Sequence, residues 1–255
     1  MNIKLISIII ATYNANKTIE RCLNSIIQQK DSQIELIIVD GKSTDGTIDK
    51  IRKYIEHIDY FISESDNGIY DAWNKALKHI NGEWVMFLGA DDELRDNAIS
   101  KYLEKIKNVS QSCLLISSKR LMIDAHNNKP IYITGKRWTW PECINGMQIS
   151  HPGALHRRIL FSELNGYNLH YKICSDYEFL MRKGNSLNAD FMNEITVNMS
   201  TGGMSDSYEA IKEYYQIILS TTRISKARAM MNYVIMLTKY TIKHILKKIG
   251  ITYHA

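Results

Sequence analysis

Apolar, β-branched runs alternate with amphipathic stretches through the first hundred residues, and that alternation restricts the architectures open to the chain. Leu5 to Ile10 forms one such run. A polar turn follows, and then T-I-E-R-C-L-N-S-I-I places Ile19, Leu23, Ile26 and Ile27 at helical spacing. The unit repeats: Ile34 to Val39 is apolar and ends at Asp40, a G-K-S-T-D-G turn follows, and Ile48, Ile51 and Ile55 mark a second helix. A short strand at Tyr60 to Ser63, a D-N-G turn, a helix from Ile69 to Ile80 and a strand W-V-M-F-L-G continue the pattern. A strand that is apolar throughout must be covered on both faces, so the prediction is an α/β domain with a mainly parallel sheet between two layers of helices.

Beyond Leu94 the pattern loosens. A helix at Ile99 to Ile106, strands at Cys113 to Ser117, Gly153 to His156 and Phe191 to Val197, and a helix at Ser175 to Lys183 complete the reading, while Arg120 to Gln148 reads as an irregular, site-forming insertion. The four cysteines, Cys22, Cys113, Cys143 and Cys174, include no C-x-x-C pair, so a reducing cytosol is expected rather than a zinc site or disulfide framework. No apolar run is long enough to span a bilayer, and the N-terminal one is better used as a buried strand than as a signal sequence. The net charge of +5 is localised: of 32 basic and 27 acidic residues, eight and three lie from Asp206 to Ala255, which leaves the first 205 residues neutral. A neutral folded domain argues against a nucleic-acid partner.

In an open parallel sheet, ligands bind beyond the carboxyl ends of the strands, and the acids of this chain collect there. Asp40 ends the second strand, Glu64 and Asp66 follow the third, and Asp91 and Asp92 follow the fourth in G-A-D-D. Converging carboxylates invite a hard divalent cation, Mg²⁺ or Mn²⁺, which leaves coordination places for phosphate oxygens. Plainer roles compete with this one: Asp40 as a strand end, Ser43, Thr44 and Asp45 as helix caps, Asp91 and Asp92 as caps for the next helix, and Asp66-Asn67-Gly68 as an ordinary turn. Two phosphate motifs are excluded. The G-K-S-T-D-G-T segment has Thr47 where a P-loop needs lysine, and no G-x-G-x-x-G follows any strand.

The ordered series I-S-I-I-I-A-T-Y-N-A, I-I-V-D-G-K-S-T-D-G-T, S-E-S-D-N-G-I-Y-D-A-W-N-K-A and G-E-W-V-M-F-L-G-A-D-D resembles family 2 glycosyltransferases of the GT-A fold. It is most similar to bacterial enzymes that assemble O-antigen or exopolysaccharide repeat units. The resemblance implies a catalytic domain over residues 1–205, with a nucleotide-sugar-binding half at 1–95 and an acceptor-binding half at 96–205, followed by a basic helical tail at 206–255. It assigns Thr12, Tyr13, Asp40, Asp66, Asp71, Asn74 and Lys75 to the nucleotide sugar, and Asp91 to the last acid of a D-x-D metal motif. Gly89 stands where the first acid is usual, which makes Asp92 a candidate second ligand, direct or through water. In I-C-S-D-Y-E-F-L-M-R, Asp176 matches the catalytic base, with Ser175 in place of a usual Glu. His151, Arg157 and Arg182 fall on the acceptor side, where a structural histidine and a solvated arginine are the competing readings.

The implied reaction is inverting transfer of a hexose from a UDP-sugar, glucose or galactose ahead of N-acetylhexosamine, to an undecaprenyl-diphosphate-linked sugar. Asp176 would take the acceptor proton and a metal at Asp91 would stabilise the departing diphosphate. A sugar nucleotidyltransferase needs a Gly-rich basic loop after the first strand, and A-T-Y-N-A-N lacks it. A non-catalytic nucleotide-sugar-binding scaffold at a membrane would not need Asp176. In the tail, Met231, Ile235, Thr238, Ile242, Ile245 and Ile249 form a helical stripe beside Lys239, Lys243 and Lys247. A basic amphipathic helix reads as an interfacial element, here holding a cytoplasmic enzyme peripherally on the inner membrane face, with packing back on the domain as the alternative.

Overall fold

A computed structural model describes residues 4–248 of the chain. Strand β1 (Ile6–Thr12) lies between β2 (Ile34–Asp40) and β4 (Trp84–Gly89), with β3 (Tyr60–Ser63) outside β2, and all three pairings are parallel. Helices α1 (Ile19–Ile27), α2 (Thr47–Arg52) and α3 (Ile69–Ala76) follow β1, β2 and β3. The register sets Thr12 opposite Asp40 and Ala11 opposite Gly89, so three strands finish at one level and deliver their polar turns to one edge.

Alternate residues of β1 enter two different cores. Ile9 and Ala11 join Val39, Trp73 and Phe87 on one face, while Ile8 and Ile10 join Leu23, Leu36 and Ile38 on the other. Each fully buried Ile or Leu contributes about 1.5–3 kcal/mol, which is why these strands carry no polar alternation.

The second half of the sheet is mixed. Strand β8 (Leu155–Arg157) is antiparallel to both β4 and β6 (Leu115–Ile123), β9 (Ala189–Ser200) is parallel to β6, and β5 (Glu93–Leu94) is antiparallel to β9. The full order is β3-β2-β1-β4-β8-β6-β9-β5, and β7 (Pro130–Thr134) pairs with β6. The stretch expected to be irregular therefore contains the end of β6, a hairpin strand and α5 (Trp140–Cys143). Polar residues hid the strand: Ser118 is buried against the Tyr102 hydroxyl of α4 (Ala98–Asn108) at 3.0 Å and Thr196 at 2.6 Å.

Helices α6 (Ile159–Glu163) and α7 (Ser175–Lys183) pack on the face that holds Trp73 and Phe87. So does α8 (Tyr208–Thr221), which buries Tyr214, Ile217 and Ile218 beside Tyr177 and Phe179. The division drawn at 205/206 thus falls ahead of a helix that the catalytic core includes. Helix α9 (Lys226–Lys248) lies on α8, its Tyr233 hydroxyl 3.0 Å from that of Tyr208, and leaves Met231, Ile235, Ile242 and Ile245 exposed. Ile249 of the expected stripe lies outside the described residues.

Candidate active site

The loops after β1 and β2 are knitted to each other before any ligand arrives. Asn14, at φ 49°, donates its N–H to Ser43 Oγ at 2.8 Å and accepts from Thr44 N at 3.0 Å. Asp40 is wholly buried: Oδ2 accepts from Ser43 N at 2.9 Å and Ser63 Oγ at 2.7 Å, and Oδ1 accepts from Ser43 Oγ at 2.5 Å. Asp40 is thus a strand-end anchor that shapes the cleft floor, with both oxygens already engaged. Thr12 is buried beside it with an Oγ1 that has no partner, and Tyr13 stands out, 67% exposed. A Cβ on Gly41 would lie 2.7 Å from Asp66 Oδ2 and 3.3 Å from the Tyr13 ring, so this glycine lets the carboxylate and the aromatic ring face one slot.

Asp66 also accepts the N–H of Gly68, at φ +111°, and so starts α3. Asp71 accepts from Asn67 N at 2.9 Å and lies 3.7 Å from Lys75. Lys75 bridges Glu64 at 2.9 Å and the Ser65 carbonyl at 2.7 Å, and its hydrogen bond to Glu64 raises its pKa. Asn74, expected at the donor, spends its amide elsewhere: Nδ2 donates to the Tyr167 carbonyl at 2.8 Å and Oδ1 accepts from Tyr167 N at 2.9 Å. It clasps α3 to the turn that precedes α7.

At the end of β4, Asp91 points to solvent while its carbonyl is held by Ser200 Oγ at 2.8 Å and Arg21 Nη2 at 2.9 Å. Asp92 turns inward and accepts from Ser200 N at 3.2 Å and Gly89 N at 3.3 Å. Burial, reinforced by the charge of Asp91, pushes its pKa up to about 8. An inward, protonatable carboxyl is a poor metal ligand, so of the two candidates Asp91 alone is presented outward. A Cβ at position 89 would meet Asp92 Oδ2 at 2.8 Å and Asp91 Oδ1 at 2.9 Å, so glycine is what this folded-back turn requires. One outward carboxylate suits a Mg²⁺ or Mn²⁺ ion that keeps waters and takes its other ligands from a substrate diphosphate.

Opposite this turn stands Asp176, in the first turn of α7 where the helix dipole favours an anion. Its Oδ1 accepts from the Tyr70 hydroxyl at 2.9 Å, Oδ2 lies 4.0 Å from His151 Nδ1, and the side chain is 22% exposed. Burial raises its pKa, opposed by the Tyr70 hydrogen bond and the backbone N–H groups. His151 stacks on Trp73 at 5.2 Å and faces the Tyr167 hydroxyl at 3.3 Å. Burial and the nearby Arg120 charge lower its pKa to about 3, so it is neutral at pH 7 and sets no positive charge beside Asp176.

Two acceptor-side arginines are not brought here. Arg157 pairs with Trp84, the first residue of β4, at the far end of the sheet, where it stacks on that indole and binds Glu83 at 2.5 Å. Arg182 binds the carbonyls of Leu164 and Gly166, the latter at 2.7 Å, and pairs with Glu178 at 3.2 Å, so it holds the turn that Asn74 clasps. Two residues that sequence reasoning passed over do matter. Glu213 of α8 accepts the N–H groups of Lys172, Ile173 and Cys174 at 2.7, 2.9 and 2.8 Å, which fixes the approach to α7. Arg120 is half-buried on β6, within the electrostatic reach of Asp92, Asp176 and His151. Neither carries a local sequence signal, because each acts on elements distant in the chain.

Comparison with known proteins identifies the family and the fold. Residues 7–161 match the family model described as Glycosyl transferase family 2. A PGL/p-HBAD biosynthesis glycosyltransferase of Mycobacterium bovis is 28% identical over 227 residues, covering 86% of each chain. Among solved structures, S. aureus TarS 1-349 in complex with UDP-GlcNAc superposes with a TM-score of 0.69 at 20% identity, covering 91% of this chain and 71% of that one. A Pyrobaculum calidifontis mannosyltransferase in complex with GDP-Man and Mn²⁺ gives a TM-score of 0.61 at 15% identity, covering 93% of this chain and 75% of that one.

Proposed function

Because the chain belongs to glycosyl transferase family 2 and has the GT-A fold, we propose that it transfers a hexose, with inversion, from a UDP-sugar to a hydroxyl of a lipid-diphosphate-linked sugar in surface polysaccharide synthesis. The observation that carries this reading is Asp176: a partly exposed carboxylate with one oxygen fixed by Tyr70 and the other 4.0 Å from His151 Nδ1. The acceptor hydroxyl would give its proton to that second oxygen as it attacks the anomeric carbon from the side opposite the diphosphate. Burial raises the pKa of this carboxyl, which makes it a stronger base when ionised. Tyr13 and Asp66 across Gly41 suit a base and ribose, and Thr12 holds its unpartnered hydroxyl beside them. A divalent ion held by Asp91 would supply Lewis-acid stabilisation to the leaving diphosphate. UDP-glucose or UDP-galactose is the donor first proposed. UDP-N-acetylhexosamine is the second reading, favoured by the UDP-GlcNAc bound in TarS.

The tail supports a lipid-linked acceptor. No helix among the described residues is long and apolar enough to cross a membrane. The exposed apolar stripe of α9, with Lys239 exposed beside it and Lys243 paired to Asp206 at 2.8 Å, suits the surface of an anionic bilayer, where each nearby unpaired Lys or Arg contributes about 1 kcal/mol. The test is incubation with a panel of UDP-sugars and an undecaprenyl-diphosphate-GlcNAc acceptor, with detection of UDP and of product mass. Acceptor-dependent release of UDP from one donor is expected. No release from any donor would sink the reading. Removal of residues after 225 should weaken salt-sensitive binding to anionic vesicles, and unchanged binding would remove the membrane role.

A further inference from the structure

We infer that Arg120 is a further substrate-binding residue of this site, a fixed cation that takes part of the negative charge of the donor diphosphate as it leaves. This rests on the nucleotide-sugar reading above. The position follows from the sheet. Strand β8 is hydrogen-bonded to β4 only as far as Met86 and to β6 only as far as Ile116, and above it the Gly153 N–H donates to the Phe87 carbonyl. The inferred diphosphate slot therefore lies between the ends of β4 and β6, with the His151 segment across its floor. Gly89 to Asp92 form one wall, and Arg120, opposite Thr134 of β7 and Val197 of β9, stands on the other.

Within this slot the Nε of Arg120 is buried and has no hydrogen-bond partner. Burial lowers its pKa, opposed by Tyr132, Asp92 and Asp176, so the guanidinium lies within electrostatic reach of both the turn after β4 and the carboxylate of α7. Buried donors are ordinarily satisfied, and an exception calls for an explanation such as a partner that arrives with the substrate. A guanidinium fork fits a phosphate through paired N–H groups. The turn across the slot offers one outward carboxylate, since Asp92 is committed to Ser200 N and Gly89 N. A cation fixed in the protein would then share the charge that a single metal position leaves uncovered. As the bond from the anomeric carbon to the β-phosphate oxygen breaks, its electron pair stays on that oxygen, to which Arg120 donates. The acceptor oxygen forms the new bond to the anomeric carbon, and its proton goes to Asp176.

The test separates this inference from the reading beneath it. The parent, Arg120→Met and Arg120→Lys are titrated with UDP, GDP, CDP, dTDP and the matching nucleosides, in EDTA and in Mn²⁺. In EDTA the parent should bind one diphosphate more tightly than its nucleoside. Arg120→Met should lose about tenfold or more of that preference with the nucleoside affinity unchanged, and Arg120→Lys should retain an intermediate value. Melting curves of Arg120→Met and of the parent show whether the fold survives the change, and the diphosphate preference is read on variants that melt with the parent. If no diphosphate binds the parent, the donor reading and this inference fall together. If one binds and Arg120→Met keeps the full preference, the donor reading stands and the role of Arg120 is overturned. Normal diphosphate binding with lost acceptor-dependent turnover would also overturn it, by moving Arg120 to the acceptor.

Discussion

Asp176→Asn isolates proton transfer from nearly everything else in the site. The amide has the shape of the carboxyl, and its oxygen can still accept from Tyr70, which now sits 2.9 Å from Oδ1. What is lost is a base for the acceptor hydroxyl, a contribution of about 10²- to 10⁴-fold, or roughly 3–5 kcal/mol in the barrier. Donor affinity should be unchanged, because Asp176 faces the acceptor side of the slot. Stability should move the other way. Burial raises the folded-state pKa of Asp176 above that of the unfolded chain, so the folded state binds this proton more tightly. Its contribution to stability is therefore greatest at low pH and declines as pH rises through the ordinary carboxylate range to the raised value. The asparagine variant lacks that decline, so its melting temperature relative to the parent should increase across the window. UDP release at saturating donor and acceptor, donor titration and melting curves from pH 4 to 8 measure the three effects. Turnover within about tenfold of the parent would refute Asp176 as base.

Tyr70→Phe removes the hydroxyl that opposes the raised pKa of Asp176, so the acidic limb of the pH–rate profile should move further upward while turnover at high pH changes little; a limb that stays in place would separate Tyr70 from the base. Glu213→Gln weakens the acceptor of three backbone N–H groups ahead of α7, and should cost about 2–3 kcal/mol, read as a lower melting temperature and a lower kcat. Equal stability of parent and variant would mean the loop holds itself. For Asp92→Asn in EDTA, the folded pKa of about 8 means that the parent loses stability as pH rises from the ordinary carboxylate range through 8. The variant should gain melting temperature over the parent across that interval, and a constant difference would show that Asp92 is not buried as a neutral acid.

What could be read directly from the sequence was whatever a continuous apolar segment determines. The Tyr60–Ser63 strand and the Ser175–Lys183 helix have the expected bounds, and β1, β2 and β4 fall where their β-branched runs place them. The reading failed where burial and polarity coincide. Strand β6 continues past Ser117 to Ile123 because Ser118 finds Tyr102 and Thr196, and Arg120 faces the slot, none of which has a local signature. Helix α2 ends at Arg52 rather than reaching Ile55, which is left 47% exposed, and α3 ends at Ala76 although Leu77 and Ile80 still pack on the core. In the site, Asp91 and Asp176 stand where the motifs set them, one exposed after β4 and the other in the first turn of α7. Asn74, Arg157 and Arg182 were not separable from them, since a polar residue that touches substrate and one that holds the chain look alike in one dimension.

Those holding residues explain how two halves of the domain keep one reaction geometry. The helix that follows β3 and the helix that carries Asp176 stand on the same apolar face, but apolar contact is non-directional and tolerates sliding. Transfer between two bound substrates tolerates little, because misplacement by about 1 Å can cost 10²-fold. Direction comes from the polar clasps. Asn74 fastens α3 to Tyr167 through both ends of its amide, Arg182 fastens α7 to the carbonyls of Leu164 and Gly166 in the same turn, and Glu213 fixes three successive N–H groups before Ser175. Tyr70 then reaches from α3 to Asp176 itself. Each link has angular preferences that a hydrophobic contact lacks. The distance from α3 to Asp176 is thus set by hydrogen bonds whose loss should reduce kcat without abolishing the fold.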